Sequence, residues 1–585
     1  MKYDLNQLSE EQQKTSTWKA LGKLLELIAH ERGNLALAVC AMTLNTAVNL
    51  FGPFLIGHAI DRYVVTKQFH GLLVFGSILL AMYLLGLATA YTQTKLMGGV
   101  GQRLLFTLRN AIFNKLQQLP VAFFNQNKAG DLISRVNNDT DKLNQFFSQS
   151  LMQFMGSIFT MLGAGIFLLV INVKLGSATL APAVVILVFT LILSPWVKAT
   201  NARNLQSTGA LSAEIQESLN NFKVVIAFNR RDYFRQRFQV ANIDNYRTSI
   251  RAGLANNVFL PTYSLFSNLA QLVVLAYGIH LISIGEFTVG LLVSYLAYAV
   301  NFYNPLRQLA ALWTSFQVAM AGWDRVSQIL ALETDLVTLS GSGNGRGNAL
   351  LEFRDVRFGY DSREILHDVN FTLERGKTYA LIGPTGGGKT TTASLIARLY
   401  DPREGTVLLD GRDIRTYTPE ERSRKIGFIL QEPFLFSGTI RENILYGNAH
   451  LTNYSNDQLE QVIRNANLGE ILALFENGLE TKVSATGDST SLGQKQLIAF
   501  MRAVLRSPEL LILDEATANI DTVTEKLLGD ILKQLPASTT QVIIAHRLNT
   551  IENADEIFFV NSGEVNRAGS LDDAMGMLLK GNRAS

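Results

Sequence analysis

The chain has 585 residues, more than one hydrophobic core usually serves, so at least two domains are expected. Hydrophobic residues make up 48% and charged residues only 17%, whereas soluble proteins carry about 25% charged residues, so a membrane portion is predicted. The net charge of +3 gives no reason to expect nucleic acid as a partner, and the lone Cys40 excludes disulfides within the chain and cysteine metal clusters.

Residues 1–33 are predicted to form a cytoplasmic segment. Its first 17 residues are polar and lack the apolar core of a cleavable signal peptide. Near 15–28 the pattern predicts an amphipathic elbow helix at the membrane surface, and the alternative is the cytoplasmic start of the first membrane span.

Residues 34–325 are predicted to form the transmembrane domain. Crossing the hydrocarbon core takes about 20 mostly apolar helical residues, and six stretches satisfy this requirement. No carboxylate lies deep in any of them, which disfavours ion-coupled transport and leaves the energy source elsewhere in the chain. The predicted spans are 34–60, 71–97, 147–171, 174–196, 256–283 and 288–322.

The two long connections, 98–146 and 197–255, are rich in Lys and Arg, which places them and both ends of the chain on the cytoplasmic side. Both have helical periodicity, so the membrane helices are expected to continue into the cytoplasm and to be joined there by short turns. The fifth and sixth spans carry aromatic groups that either line a substrate cavity or face lipid and neighbouring helices. These groups are Tyr277, Tyr295, Tyr298, Phe302 and Tyr303.

Residues 326–349 are predicted to be a linker, because their second half is rich in Gly, Ser and Asn. Beyond it, in 350–585, short β-type runs alternate with helical stretches, which is typical of an α/β domain.

A glycine-rich segment follows one of these strands with the spacing G-x-x-x-x-G-K-T of a P-loop. Its glycines let backbone N–H groups surround phosphates, and the helix that follows points its positive end at the anion. Lys389 is expected to contact the terminal phosphates, and Thr390 is expected to hold Mg²⁺. The predicted phosphate-binding residues are Gly383, Pro384, Thr385, Gly386, Gly387, Gly388, Lys389, Thr390 and Thr391.

The apolar run 510–513 ends in two carboxylates, Asp514 and Glu515. Asp514 is predicted to hold Mg²⁺, and Glu515 is the candidate general base for the attacking water. An acidic pair alone usually caps a helix or lies at a solvated edge, but together with a P-loop it indicates a nucleotide site.

With these two motifs in place, the whole stretch 350–575 resembles the nucleotide-binding domain of ABC transporters. The resemblance identifies Tyr360 as the ring that stacks on adenine and Gln431 as a glutamine that senses Mg²⁺ and faces the membrane domain. It identifies 518–521 as the D-loop and His546 as the switch histidine at the γ-phosphate. It therefore implies ATP and Mg²⁺ as cofactors, with catalysis by Glu515, His546 and Lys389. The implied Mg²⁺ contacts are Thr390, Gln431 and Asp514.

The membrane half resembles the exporter-type domain of the same superfamily, in 123–139 and again in 285–309. The implied fold is an all-α six-helix membrane bundle followed by an α/β P-loop NTPase domain of the ABC type. The resemblance also implies a multi-pass protein of the cytoplasmic (inner) membrane, surrounded by lipid, that works as a dimer with twelve membrane helices.

The signature loop departs from the family pattern Leu-Ser-Gly-Gly-Gln, because it reads Thr-Ser-Leu-Gly-Gln over 490–494. Ser491, Gly493 and Gln494 keep the family's residues for contacting the ATP bound by the partner chain. Leu492 replaces a glycine, so it is expected to crowd the phosphate and to remove backbone freedom. Ala485 stands where many exporters carry glutamate. A heterodimer like that of some bacterial multidrug exporters is therefore favoured, and a homodimer with a tolerated leucine is the alternative.

The expected function is ATP-driven transport of a small molecule, lipid-like compound, drug or peptide by alternating access, in the direction of export. An importer built on the same scaffold and an ATP-gated channel or sensor are the alternatives. Intact Glu515 and His546 argue against the channel.

Overall fold

The computed structural model describes residues 3–5, 31–333, 336, 338–339, 349–360, 363–484, 490–514, 522–544, 554–569, 573–574 and 576–577. The elbow helix predicted near 15–28 lies outside these residues. The chain divides into two compact units, and each is described by itself. One comprises Met1–Leu8, Leu116–Ala129 and Ala331–Ser585, and the other comprises Ser9–Lys115 and Gly130–Leu330.

The described residues of the first part of the chain form helices joined by short non-helical connections. Two helices are only six residues long and connect much longer ones, as the predicted short turns between cytoplasmic helix extensions require. In chain order the helices are α1 (Arg32–Ala59), α2 (Phe69–Gln118), α3 (Val121–Gln126), α4 (Ala129–Ile171), α5 (Val173–Asn220), α6 (Phe222–Ala227), α7 (Arg231–Asn257), α8 (Phe259–Ser283) and α9 (Val289–Ala331).

Five described helical stretches are long and apolar enough to cross a membrane. They match the first five predicted spans, although most extend well past the predicted ends. The sixth predicted span, 288–322, lies in the 43-residue helix α9 except for its first residue, and α9 is not among the five. The five stretches are Arg32–Val64, Phe69–Gln118, Ala129–Ile171, Val173–Asn220 and Arg231–Ser283.

Three tyrosines of α9 hold neighbouring membrane helices together. The hydroxyl of Tyr298 donates to the carbonyl of Leu50 in α1 at 2.7 Å, and that of Tyr303 donates to the carbonyl of Thr179 in α5 at 2.7 Å. Tyr295 donates to a carbonyl of α4, and all three rings are buried. Because each hydroxyl is bonded inside the bundle, these tyrosines join helices and do not line a cavity.

Asn and Ser side chains also join the cytoplasmic extensions of α5 and α7. Asn201 and Asn256 exchange two hydrogen bonds, of 2.9 and 3.0 Å. Toward the tip, Arg237 pairs with Glu214 at 2.5 Å. The two helices therefore form a braced arm with α6 at its tip. Cys40 is exposed on α1.

The nucleotide-binding part has the predicted α/β architecture. Its strands are β1 (Ala349–Phe358), β2 (Leu366–Glu374), β3 (Thr378–Ile382), β4 (Glu404–Leu409), β5 (Arg412–Asp413), β6 (Ile426–Ile429), β7 (Gly438–Thr439), β8 (Lys482–Val483), β9 (Leu510–Asp514), β10 (Thr540–Ile544), β11 (Glu556–Asn561) and β12 (Glu564–Arg567). Its described helices of five residues or more are α10 (Lys389–Ile396), α11 (Pro419–Lys425), α12 (Ile440–Ile444), α13 (Asn456–Asn465), α14 (Gly469–Ala473), α15 (Leu492–Val504) and α16 (Thr522–Lys533).

The main sheet has the order β12-β11-β3-β10-β9-β6, with all strands parallel except β12. Alternate residues of its central strands enter different cores. In β9, Leu510 and Ile512 pack toward β1 and β2, whereas Leu511 and Leu513 pack toward the helices α12–α16. A parallel sheet covered on both faces brings the carboxyl ends of its strands to one edge, where ligands bind. The loop after β3 and the end of β9 lie at this edge.

Candidate functional site

The P-loop follows β3 directly and is shaped by glycines with backbone angles that other residues rarely adopt. Gly383 has φ +145°, and a Cβ there would lie 1.9 Å from the carbonyl oxygen of Val560 in β11. Gly388, with φ +116°, is the residue that precedes the first turn of α10. The loop is therefore pressed against the end of β11, and the sequence admits it only because side chains are missing at these positions.

Lys389 begins α10 and is only 6% exposed. Its Nζ donates to the carbonyl oxygens of Gly383 and Pro384, at 2.8 and 3.0 Å. The ammonium group is therefore held over the P-loop, where a phosphate surrounded by the loop would meet it.

Asp514 is the last residue of β9 and is only 2% exposed. In the sheet, β10 lies between β9 and β3, the strand that leads into the P-loop. The hydroxyl of Thr390 donates to Asp514 Oδ1 at 3.3 Å. A hydroxyl and a carboxylate are oxygen donors of the type that Mg²⁺ prefers. The two residues therefore fit a Mg²⁺ ion that also binds nucleotide phosphates.

Tyr360 lies just beyond β1 with 41% of its surface exposed. Its hydroxyl is 3.2 Å from that of Thr391 in α10, and its ring meets the ring of Tyr400 edge to face at 5.0 Å. Phe358 packs against both rings. An exposed ring held from behind by other aromatics is suited to stack on a nucleotide base.

Tyr400 and its partner Asn125 were not predicted from the sequence. The side chain of Asn125 in α3 donates to the hydroxyl of Tyr400 at 2.8 Å. Burial raises the pKa of Tyr400, and the neighbouring Tyr360 adds to the effect, so the hydroxyl stays neutral. A short helix from the membrane half of the sequence is thus bonded to the aromatic cluster beside the nucleotide site. No local pattern marks a contact between residues 275 positions apart.

Gln431 is exposed just after β6, beside an open groove. The groove is lined by Leu430, Phe434 and Arg502, and the Phe434 ring is 57% exposed. The role of Gln431 toward Mg²⁺ stays a prediction.

The signature loop leads into α15, on the helical side of the domain. Ser491 and Gln494 form a reciprocal cap at the first turn: Ser491 Oγ accepts from Gln494 N at 3.1 Å, and Gln494 Oε1 accepts from Ser491 N at 3.0 Å. Leu492 is the first residue of this helix, and its side chain is 41% exposed. Its φ is not positive, so the expected loss of glycine's backbone freedom does not apply in this conformation. Any effect of the leucine on a bound nucleotide is therefore expected to come from the bulk of its side chain.

The structure thus brings together Lys389, Thr390, Thr391, Asp514 and Tyr360. Ser491, Gly493 and Gln494 lie together on the separate signature helix. Glu515, His546, Ala485 and the predicted D-loop at 518–521 lie outside the described residues.

Comparisons with protein families agree with this arrangement. The family model for the ABC transporter transmembrane region matches residues 35–306, and the model described as ABC transporter matches residues 366–518.

Similar proteins match over nearly the whole chain. An uncharacterized ABC transporter ATP-binding protein, YfiC, of Bacillus subtilis is 34% identical over 94% of this chain and 91% of its own length. A fatty acid ABC transporter ATP-binding/permease protein of Mycobacterium bovis is 30% identical over 94% of both chains. An ATP-dependent lipid A-core flippase of Syntrophus aciditrophicus is 29% identical over 94% of this chain and 91% of its own length.

Proposed function

Because the chain belongs to the ABC transporters, as a membrane-embedded half-transporter whose cytoplasmic ATPase domain drives transport, we propose that it exports amphipathic, lipid-like molecules as one half of a heterodimer. Two of its relatives bear names that specify lipids, a fatty acid and lipid A-core. In this proposal α9 is the sixth membrane span, so that each half contributes six.

The proposed chemistry uses the residues at the edge of the main sheet. The P-loop N–H groups and Lys389 hold the phosphates, Thr390 and Asp514 hold Mg²⁺ with Gln431 as a further contact, and Tyr360 stacks on adenine. When bound, Mg²⁺ neutralises charge that develops on the phosphates during hydrolysis. Glu515 takes the proton of the attacking water, and His546 contacts the γ-phosphate.

The contrast between this complete catalytic side and the altered signature is the observation that carries the heterodimer. An ATP held by a partner's P-loop would meet the α15 helix of this chain, where the exposed Leu492 side chain replaces a glycine. The ATP held by Lys389 would instead meet the partner's signature. Pairing this chain with a second chain of unaltered signature gives one efficient site and one impaired site, whereas a homodimer has two impaired sites.

Two exposed apolar surfaces are suited to bind a second half-transporter chain. The tip helix α6 exposes Phe222, Val224 and Ile226, each by more than 40%. The groove beside Gln431 exposes Leu430 and Phe434, and the exposed ring of Phe436 packs against that of Phe434. Apolar surface of this kind marks an interaction site, and a helix that inserts its apolar face into a groove is a common form of recognition. We assign α6 of each half to the groove of the other.

ATP binding then provides the energy for the conformational switch. Two ATP molecules bind the closed dimer better than the open one, so they shift the population to the closed state. Short helices such as α3 and α6 transmit closure to the long membrane helices, which open the cavity to the outside. Hydrolysis at the efficient site restores the inward-facing state.

Co-purification of the tagged chain from its native membrane tests the heterodimer. The expected result is a second half-transporter in equal amount, with ATPase activity much higher for the pair than for this chain reconstituted alone. Brisk ATP hydrolysis by this chain as a homodimer would contradict the heterodimer. Vesicle assays with labelled fatty acid and lipid probes test the direction, and accumulation of the probe on the cytoplasmic side would contradict export.

A further inference from the structure

The segment Tyr3–Leu5 lies well before the first membrane helix in the sequence, and its two apolar side chains are buried. Tyr3 is 3% exposed and Leu5 is 1% exposed. Both lie in the same compact unit as Leu116–Ala129, which contains α3. Contacts within this compact unit therefore hold the segment in place.

Two neighbouring amides at the end of α3 bind the backbone of the segment. Gln126 Oε1 accepts from Tyr3 N at 2.9 Å, and Asn127 Oδ1 accepts from Leu5 N at 3.2 Å. Asn127 Nδ2 in turn donates to the carbonyl oxygens of Tyr3 and Phe123, both at 2.8 Å. The Asn127 amide thus uses its donor and its acceptor to fasten the segment to the end of α3. Three backbone groups that burial would leave without water are satisfied in this way.

The side chain of Tyr3 adds two further contacts. Its ring meets the fully buried ring of Phe123 edge to face, with centroids 6.5 Å apart. Its hydroxyl donates to the carbonyl oxygen of Glu333 at 3.3 Å, two residues past the end of α9. The segment thereby joins α3 to the start of the linker that leads to the nucleotide-binding domain.

The amide that precedes these two in the chain, Asn125, contacts the nucleotide site instead, through its hydrogen bond to Tyr400. Hence α3 is held by Tyr3–Leu5 through one set of amides and by the aromatic cluster behind Tyr360 through another. We propose that Tyr3 and Leu5 are positioning residues that clamp α3 against the nucleotide-binding domain, so that ATP hydrolysis is coupled to movement of the membrane helices. The inference about coupling rests on the proposed function, whereas the clamp itself does not.

Protection of a cysteine in the clamp tests its docking. The full-length chain with Cys40→Ser has no other thiol, so Leu5→Cys can be labelled with a water-soluble maleimide in native membranes. We expect slow labelling, and an increase of about tenfold after Asn127→Ala, since that change removes two hydrogen bonds to the segment. Asn110→Ala is the matched control, because Asn110 is exposed on α2. Fast labelling of Leu5→Cys in the chain that keeps Asn127 would overturn the clamp.

Kinetics of ATP hydrolysis by the co-purified transporter in lipid test the coupling. A loosened α3 lets the nucleotide-binding domains close without moving the membrane helices, so Asn127→Ala and Tyr3→Ala should raise kcat by about threefold while KM for ATP stays unchanged. Tyr3→Phe keeps the ring contact with Phe123 and loses only the 3.3 Å hydrogen bond to Glu333, so its kcat should lie between those of the parent and Tyr3→Ala. An unchanged or lower kcat would overturn the positioning role.

The two measurements fail separately. If the parent transporter hydrolyses no ATP, the proposed function is wrong, yet protection of Leu5→Cys still reports the clamp. If the parent hydrolyses ATP and Leu5→Cys is unprotected, only the clamp is wrong.

Discussion

The P-loop and the altered signature loop both lead into the first turn of a helix, but their backbones are held in different ways. In the P-loop, Gly383 and Gly388 have positive φ, and a Cβ on Gly383 would collide with the carbonyl of Val560. At the signature, Ser491 caps an ordinary helix in which Leu492 is the first residue. One loop depends on glycine for its shape, whereas the other leads into an ordinary helical turn that begins with a leucine.

This difference explains how the chain combines a complete P-loop with a changed signature. A side chain at Gly383 would damage the chain's own nucleotide site, because the backbone has no room for it. The side chain of Leu492 sits on the first turn of an ordinary helix and is 41% exposed, so in the proposed heterodimer it can extend toward the nucleotide of the partner chain. In the proposed heterodimer, therefore, the substitution impairs only the site that this chain completes for its partner.

The largest expected effect belongs to Glu515, on the catalytic side of the comparison. Glu515→Gln should lower kcat for ATP by about 10²–10⁴-fold, the usual contribution of a general base, while ATP still binds. The measurement is ATP turnover of the co-purified pair, together with retention of labelled ATP. Glu476→Gln, on an exposed residue, is the matched control. If Glu515→Gln kept its turnover, the efficient site would not be built on this chain.

Glycine replacements in the P-loop come next. Gly383→Ala should destabilise the nucleotide-binding domain by about 3 kcal/mol, because it adds a clash to a strained φ. Gly386 has φ +82° with nothing within 4 Å of a built Cβ, so Gly386→Ala should cost only about 1 kcal/mol. Thermal unfolding of the purified transporter measures both, and about 3 °C per kcal/mol is expected for a domain of this size. Equal shifts for the two variants would show that contact with Val560 does not hold the loop.

Removal of the P-loop charge is the next prediction, and its expected effect is a loss of ATP affinity. Lys389→Ala should reduce ATP affinity by about 10- to 100-fold, since hydrogen bonds to charged groups contribute about 1.5–3 kcal/mol. Equilibrium binding of a fluorescent ATP analogue to the full-length chain measures the loss. Lys526→Ala, on an exposed lysine of α16, should bind ATP like the parent. Unchanged affinity after Lys389→Ala would exclude this lysine from phosphate binding.

The sequence was most informative where function depends on a short stretch of chain. The spacing of the P-loop predicted a strand, a loop and a helix, and the structure has them at β3 and α10. The apolar run before Asp514 predicted a buried strand, and β9 is buried along its length. Helical periodicity in the basic connections predicted that membrane helices extend beyond the bilayer, as α2 and α5 do.

Contacts between distant residues could not be predicted in this way. Neither Asn125 nor Tyr400 stands out locally, and their hydrogen bond depends on packing between distant segments. The α9 tyrosines were compatible with a cavity until the structure showed their hydroxyls bonded to carbonyls of other helices. Likewise, glycine in the family pattern implied a special backbone at position 492, and only the structure shows an ordinary helical one.

The smallest effect, and the sharpest test of the comparison, is expected at that position. If Leu492 hinders the partner's nucleotide only by its bulk, then Leu492→Ala and Leu492→Gly should raise ATP turnover of this chain alone about equally. A gain of about fivefold corresponds to about 1 kcal/mol, the net contribution of one restored hydrogen bond. If glycine's backbone freedom is what matters, only Leu492→Gly should raise it, because alanine keeps the restrictions of an L-residue. Steady-state hydrolysis by the two variants in lipid distinguishes these outcomes, and no gain in either would mean that Leu492 is not what limits the impaired site.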